Sequence, residues 1–176
     1  MALIRILIIG GARSGKSDFA LIKAAEQDGK KAFLATTQAR DSEMKERIDA
    51  HKRQRGPEWL TYEEPLKVIE TLQNLILHYD VIILDCLTLW LSNVMSTATQ
   101  NPKDQIIALT KALKDFNIST HSVSLYMISN EVGMGIVPDN KLARTFRDLS
   151  GFMNKQIAEV SDEVYLVSAG IPLKLK

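Results

Sequence analysis

With 176 residues and 22 Lys and Arg against 21 Asp and Glu, the chain is nearly neutral, so no global field draws it to nucleic acid or anionic lipid. Its one cysteine, Cys86, excludes an intramolecular disulfide and a thiolate-clustered zinc site. The length fits one domain over 1–176, and 45% hydrophobic with 24% charged residues is an ordinary globular composition.

The first element is the apolar run Leu3 to Ile9, which reads as a buried strand. It is too short to cross a bilayer, and Gly-Gly-Ala-Arg follows it instead of a cleavage signal. No other run is apolar for long enough to span, so the cytoplasm is the expected compartment. Ser17 to Asp28 predicts a helix stopped by Gly29, and Lys31 to Thr37 a second strand. Ser42 to Arg55 predicts a charged helix. Thr61-Tyr62-Glu63-Glu64-Pro65 predicts a further helix start, with acids at the positive dipole end and Leu66, Ile69, Leu72, Leu75 and Ile76 turned inward.

Val81 to Asp85 predicts a buried strand ending in an acid. Cys86 to Met95 is apolar on nearly all sides, which fits deep burial or a subunit interface. Ser122 to Ser129 predicts another strand. From Pro138 to Val160, the residues Leu142, Phe146, Leu149, Met153, Ile157 and Val160 form one helical stripe. Glu163 to Ser168 predicts a strand, Ala169 to Pro172 a turn, and Leu173 to Lys176 an antiparallel return. This alternation predicts an α/β fold: a mostly parallel sheet with helices on both faces and a C-terminal antiparallel hairpin.

The strongest chemical signal is Gly10-Gly11-Ala12-Arg13-Ser14-Gly15-Lys16-Ser17, a full match to G-x-x-x-x-G-K-[ST] between a strand and a helix. Small residues let backbone N–H groups converge on phosphate oxygens, and the helix N-terminus adds positive potential. Lys16 is placed to neutralise the β- and γ-phosphates, and Ser17 to offer its hydroxyl to Mg²⁺. Asp85 closes a buried strand where P-loop proteins keep the acid that holds the metal through water; capping of the next helix is the competing role. Thr36 and Thr37 end a strand on the expected ligand edge, though threonine also favours strands for its own sake.

The segment 42–55 is locally basic through Lys45, Arg47, Lys52, Arg53 and Arg55. Met44, Ile48 and His51 fall at spacings of four and three, so the imidazole shares the apolar stripe of this helix. Two roles stay open on that pattern. One is a packed histidine on a solvated basic helix; the other is a nucleophile over the phosphate turn, with Lys52, Arg53 and Arg55 meeting triphosphate oxygens.

Four separated motifs occur in order: GGARSGKS, the strand end ATTQ, E-M-x-x-R-I-x-x-H-K from Glu43 to Lys52, and NEVGMGIVPDN from Asn130 to Asn140, with LARTFRDLSGFMN directly after. Together they resemble the bifunctional adenosylcobinamide kinase/adenosylcobinamide-phosphate guanylyltransferase family of cobalamin biosynthesis, nearly end to end. The resemblance implies a RecA-like P-loop fold, commonly a homotrimer, with two activities. One phosphorylates adenosylcobinamide with ATP or GTP. The other moves GMP from GTP onto adenosylcobinamide phosphate through a guanylyl-histidine, giving adenosylcobinamide-GDP.

By the same resemblance, His51 is the guanylylated residue and Lys16 its catalytic companion at the phosphates. The nucleotide-contacting segments fall on Gly10 to Ser17, on Ala35, Thr36 and Thr37, on Lys52, Arg53, Gln54 and Arg55, and on Glu63 and Asp85. Some relatives carry two adjacent histidines where this chain has Ala50-His51. The turn Asn130 to Pro138 is either a plain connector or a corrinoid or subunit contact, with Glu131 a candidate kinase base. Without the resemblance, a P-loop small-molecule kinase lacking guanylyltransferase activity leads, ahead of a non-catalytic nucleotide-binding regulator or motor. A GTPase switch does not fit, because Asp85 is followed by Cys-Leu-Thr and no Asn-Lys-x-Asp occurs.

Overall fold

The computed structural model describes residues 2–37, 56–97, 101–116 and 121–176. Seven strands, β1 (Leu3–Gly10), β2 (Lys31–Ala35), β3 (Trp59–Glu63), β4 (Val81–Asp85), β5 (Val123–Asn130), β6 (Glu163–Ser168) and β7 (Ile171–Lys174), form one sheet in the order β3-β2-β4-β5-β1-β6-β7. All neighbours pair in parallel except β6 and β7, which form the antiparallel C-terminal hairpin. The described helices are α1 (Lys16–Ala25), α2 (Val68–Leu75), α3 (Leu87–Ser96), α4 (Pro102–Asp115) and α5 (Lys141–Val160).

The central strands are buried on both faces, so their sequences run apolar without alternation. Each face has its own core. Leu7, Leu34, Leu84, Leu125 and Met127 meet Leu72, Leu91, Leu109, Met153 and Ile157 from α2 to α5. On the other face Ile6, Ile8, Ile83, Tyr126 and Ile128 meet Ala20 and Ala24 of α1. Two alanines at the contact let α1 lie close to the sheet, which brings its first turn down onto the end of β1.

Strand β5 stands between β1 and β4. The turn after β1 and the acid ending β4 are therefore two ladder spacings apart, about 10 Å at about 4.8 Å per strand. That interposed strand gives the sheet its RecA-like P-loop arrangement.

One sequence expectation is overturned. Thr61, Tyr62 and Glu63 do not open a helix; they end β3, pairing with Phe33, Leu34 and Ala35 of β2. The β-branched and aromatic content of Trp59 to Tyr62 favours a strand, and docking on β2 decides the matter over the Pro and acid signals. The acids still serve the start of the helix. Glu64 Oε1 accepts from the N–H groups of Leu66 and Lys67, and α2 begins at Val68. Leu66 stays partly exposed, whereas Leu72, Leu75 and Ile76 are buried as expected.

Other boundaries move by a few residues. The helix after the phosphate turn ends at Ala25 instead of Asp28, the second strand at Ala35 instead of Thr37, and the long helix begins at Lys141 under an Asn140 cap instead of at Pro138. Asn140 Oδ1 accepts from the N–H groups of Leu142 and Ala143. Helix α4 carried no clear expectation. Its buried residues are Ile106, Leu109 and Leu113, and it is set by an Asn101 cap and Pro102 at its first turn. The charged helix expected over Ser42 to Arg55 lies outside the described residues.

Leu84 sits at 0% exposure in the middle of the sheet. Leu84→Ala is expected to lower stability by about 2–5 kcal/mol, read as a lower denaturant midpoint at unchanged slope.

Candidate active site

The turn from Gly10 to Ser17 leaves β1 and enters α1 under tight steric control. A Cβ at Gly10 would lie 2.3 Å from the carbonyl oxygen of Val167 on β6, so only glycine fits there. Gly15 caps α1 in the left-handed region at φ 95°, and a Cβ on it would meet Cα of Gly170 at 3.1 Å. Arg13 also adopts a positive φ, 56°, which is uncommon for a residue with a side chain and fits a turn held by its surroundings.

Two backbone bonds supply that hold. Glu131 N–H, just beyond β5, donates to the Gly10 carbonyl at 2.8 Å, and Gly170 N–H, in the β6–β7 turn, donates to the Ser14 carbonyl at 2.8 Å. The phosphate turn is thus clamped between its two neighbours in the sheet.

Around it lies a cavity of about 500 Å³ lined by Ala12 to Asp18, Asp85, Cys86, Ile128 and Asn130. A smaller one, about 240 Å³ between α2 and α3, is lined by Leu66, Trp90 and Val94 and contains no phosphate-binding turn. Lys16 is 7% exposed, and its Nζ donates to the Gly11 carbonyl at 2.6 Å, with Ser14 Oγ at 3.5 Å. Burial lowers its pKa from the usual lysine value, opposed by the nearby Cys86 and Asp85. Ser17 Oγ donates to Asp85 Oδ2 at 3.4 Å, so hydroxyl and carboxylate face one another across the cavity.

That pair is the chemical test for a divalent ion. Mg²⁺ takes hard oxygen ligands, typically one or two from protein with the rest from water and phosphate, and Ser17 with Asp85 supply such a set. The competing cap role for Asp85 falls to its neighbour: Cys86 is the N-cap of α3, with Sγ accepting from Leu89 N–H at 3.4 Å. Burial, and then the charge of Asp85, push the Cys86 thiol up to about 11, so it is held neutral.

The sheet register brings three further expected residues into one row. Ala35 pairs with Glu63 on one side and with Asp85 on the other, at the carboxyl edge of β2, β3 and β4. Thr36, for which ligand contact and plain strand preference both stood open, turns its hydroxyl to the protein. It is fully buried, its Oγ1 donates to the Cys86 carbonyl at 2.8 Å and accepts from Cys86 N–H at 3.0 Å, and its carbonyl accepts from Asn93 Nδ2. Thr36 therefore fixes the β4–α3 junction that presents Asp85. Thr37 lies half-buried beyond it. His51, Lys52, Arg53, Gln54 and Arg55 lie outside the described residues.

Sequence reasoning missed a polar chain under the far side of the site. Thr88 Oγ1 bonds Ser129 Oγ at 3.3 Å and accepts from Asn130 N–H at 2.7 Å; Ser129 Oγ donates to Asn154 Oδ1 at 2.6 Å, and Asn154 Nδ2 donates to the Asn130 carbonyl at 3.1 Å. It ties α3 and α5 to the end of β5. Only the polar residues interrupting the apolar stripe of α5 could have signalled it.

A strand–turn–helix cradle with a buried lysine, facing an acid across an interposed strand, defines a P-loop nucleotide-binding protein. The comparisons carry this further. A family profile described as cobinamide kinase / cobinamide phosphate guanyltransferase matches residues 6–175. The bifunctional adenosylcobalamin biosynthesis protein CobP of Pseudomonas aeruginosa is 38% identical over 98% of this chain and 98% of its own. The bifunctional adenosylcobalamin biosynthesis protein CobU of Salmonella typhimurium is 39% identical over 97% of this chain and 99% of its own, and that of Escherichia coli 35% identical over the same shares. The chain belongs to the cobinamide kinase / cobinamide phosphate guanyltransferase family, and is a kinase and nucleotidyltransferase of cobalamin biosynthesis.

Among solved structures, an ATPase of the type III secretion system of pathogenic bacteria superposes with TM-score 0.59 at 12% identity, over 97% of this chain and 56% of that one. The ATPase EscN of enteropathogenic E. coli gives 0.57 at 10%, over 94% and 43%. The chain thus spans about half the length of these ATPases, and the likeness shows the P-loop fold alone.

Two variants test the cradle. Lys16→Ala is expected to lower triphosphate-dependent turnover about 10²-fold or more with the circular-dichroism spectrum intact. Gly15→Val, forcing a branched side chain into the left-handed region against Gly170, is expected to weaken triphosphate binding measured by titration calorimetry.

Proposed function

We propose that both family activities run at this one cradle, within a single catalytic domain over 1–176: ATP- or GTP-dependent phosphorylation of adenosylcobinamide, and transfer of GMP from GTP to adenosylcobinamide phosphate. The observation that carries this reading is the Gly10–Ser17 turn with Lys16 buried in it and Asp85 opposite. Gly10, Gly11, Ala12, Arg13, Ser14 and Gly15 supply backbone N–H groups to the phosphates. Lys16 neutralises their developing charge; Ala35 and Glu63 pair at the same strand edge, with Thr37 two residues beyond it.

Mg²⁺ is the metal these oxygens suit; Ser17 and Asp85 would hold it, and it would supply charge neutralisation at the phosphates. His51 is the nucleophile of the second activity, and Lys52, Arg53, Gln54 and Arg55 its cationic and polar surroundings. A neutral imidazole nitrogen forms a bond to the α-phosphorus of GTP as the bond to the bridging oxygen breaks, and pyrophosphate leaves with that electron pair. A phosphate oxygen of adenosylcobinamide phosphate then bonds the same phosphorus, the P–N bond breaks, and the imidazole is restored. Splitting the transfer keeps two anions from having to meet directly.

The protein is further proposed to act in the cytoplasm as a homotrimer, with corrinoid and nucleotide as its ligands and no nucleic acid. Among the described residues, no helix is long and apolar enough to cross a membrane. His51→Asn is expected to abolish a covalent GMP label formed from GTP while leaving phosphorylation of adenosylcobinamide measurable. A label that survives in this variant removes His51 from the mechanism.

A further inference from the structure

The phosphate turn contains one residue type that its backbone does not call for. Ser14 N–H donates to the Gly11 carbonyl at 3.3 Å, closing a turn with Arg13 at its third position. Arg13 has φ 56° there. That position and that sign of φ suit glycine or asparagine, because a Cβ crowds the backbone in the left-handed region. The turn uses glycine at Gly10, Gly11 and Gly15, yet holds an arginine at this left-handed site. Glycine would fit with less strain. What arginine adds is its side chain.

That side chain has no structural duty among the described residues. Arg13 is exposed and makes no hydrogen bond, ion pair or ring contact there. Other arginines are tied to the fold: Arg5 donates to the Leu113 carbonyl and pairs with Asp162, and Arg144 donates to the carbonyls of Pro138 and Asp139. The Arg13 guanidinium keeps its donors for something else.

Charge at the cavity says what that is. Its charged lining among the described residues is Arg13 and Lys16 against Asp18 and Asp85. Without Arg13 this lining is net negative, where a polyphosphate must sit. Lys16 cannot offset both acids alone, and its Nζ is buried against the Gly11 carbonyl. Backbone N–H groups of such a turn cradle the inner phosphates, and the lysine reaches toward the outer ones. The terminal phosphate has the fewest amides around it, and a long cationic side chain on the turn suits it.

We propose that the Arg13 guanidinium is a catalytic group of the cradle that pairs with the terminal phosphate of the bound triphosphate. Its planar fork matches two oxygens of that group in a charge-assisted pair. In the kinase step the acceptor hydroxyl oxygen bonds the γ-phosphorus as the bond to the bridging oxygen breaks. The nucleoside diphosphate leaves with that electron pair, and the hydroxyl proton passes to water. Arg13 gives up no proton; it offsets charge on the transferred group. In transfer of GMP the same phosphate belongs to the leaving pyrophosphate, so the pairing serves both activities whichever group attacks the α-phosphorus. The proposal rests on the reading that both activities use this one cradle.

The test uses the full chain, with Arg13→Gly, Arg13→Asn and Arg13→Lys. Glycine and asparagine both accept the positive φ, so these two variants are expected to melt no lower than the wild type. Affinity for GTP, measured by titration calorimetry, is expected to fall about tenfold in both while affinity for GDP stays near the wild-type value. The kcat of adenosylcobinamide phosphorylation and that of GMP transfer are expected to fall about 10²-fold or more, with partial recovery in Arg13→Lys. GTP and GDP weakened alike, a loss confined to one activity, or kcat values that stay at the wild-type level overturn the proposal. A lower melting temperature with an unchanged GTP-to-GDP affinity ratio also overturns it and leaves Arg13 a structural residue. A wild-type chain in which Lys16→Ala leaves one of the two activities intact overturns the shared-cradle reading itself, a failure seen without any Arg13 variant.

Discussion

The site depends on how the turn after β1 is gripped. Its backbone is bonded on one side by Glu131 beyond β5 and on the other by Gly170 in the β6–β7 turn, each at 2.8 Å. Because β5 and β6 flank β1 in the sheet, these bonds follow directly from strand order. The convergent N–H groups that would receive phosphate are thus fixed by tertiary structure, and the strain of Arg13 and the closeness of Gly15 to Gly170 are tolerated for the same reason. The C-terminal hairpin, which looks peripheral in the sequence, is part of the cradle.

The acid side is built by a different device. Asp85 ends a five-residue strand with almost no polar character, and its position is set by the Thr36 hydroxyl, which bonds both the N–H and the carbonyl of Cys86. A buried side chain just beyond the end of the neighbouring strand β2 thereby replaces ladder bonds where the chain turns away into α3. Cys86 completes the turn by capping that helix. With the P-loop on β1 and the acid on β4, β5 supplies the floor between them through Ile128 and Asn130.

Much of this was legible in the sequence, for physical reasons that differ by element. The buried strands β1, β4 and β5 are predominantly apolar runs of the expected length, and the G-x-x-x-x-G-K-S turn has few alternative explanations between a strand and a helix. The strand at Trp59–Glu63 was not legible. Its acids and Pro65 imitate a helix start, and only pairing with β2 resolves them. Thr36 could be placed at the ligand edge, but not whether its hydroxyl would face ligand or protein, since that depends on Cys86, fifty residues away. The same holds for the Thr88–Ser129–Asn154 chain, whose members are contiguous only in space. His51 was singled out by helical spacing and by resemblance to a family, and its placement rests on those two grounds.

The account's central claim is that a nucleotide held by the 10–17 turn is transferred to one imidazole before it reaches the corrinoid. Peptide mapping of the wild-type chain after incubation with α-labelled GTP and a divalent cation, without acceptor, tests it most directly. The account predicts a single guanylylated residue at position 51, discharged on addition of adenosylcobinamide phosphate. A chain that stays unmodified while still forming the GDP-linked product, or that carries the label at another residue, contradicts it.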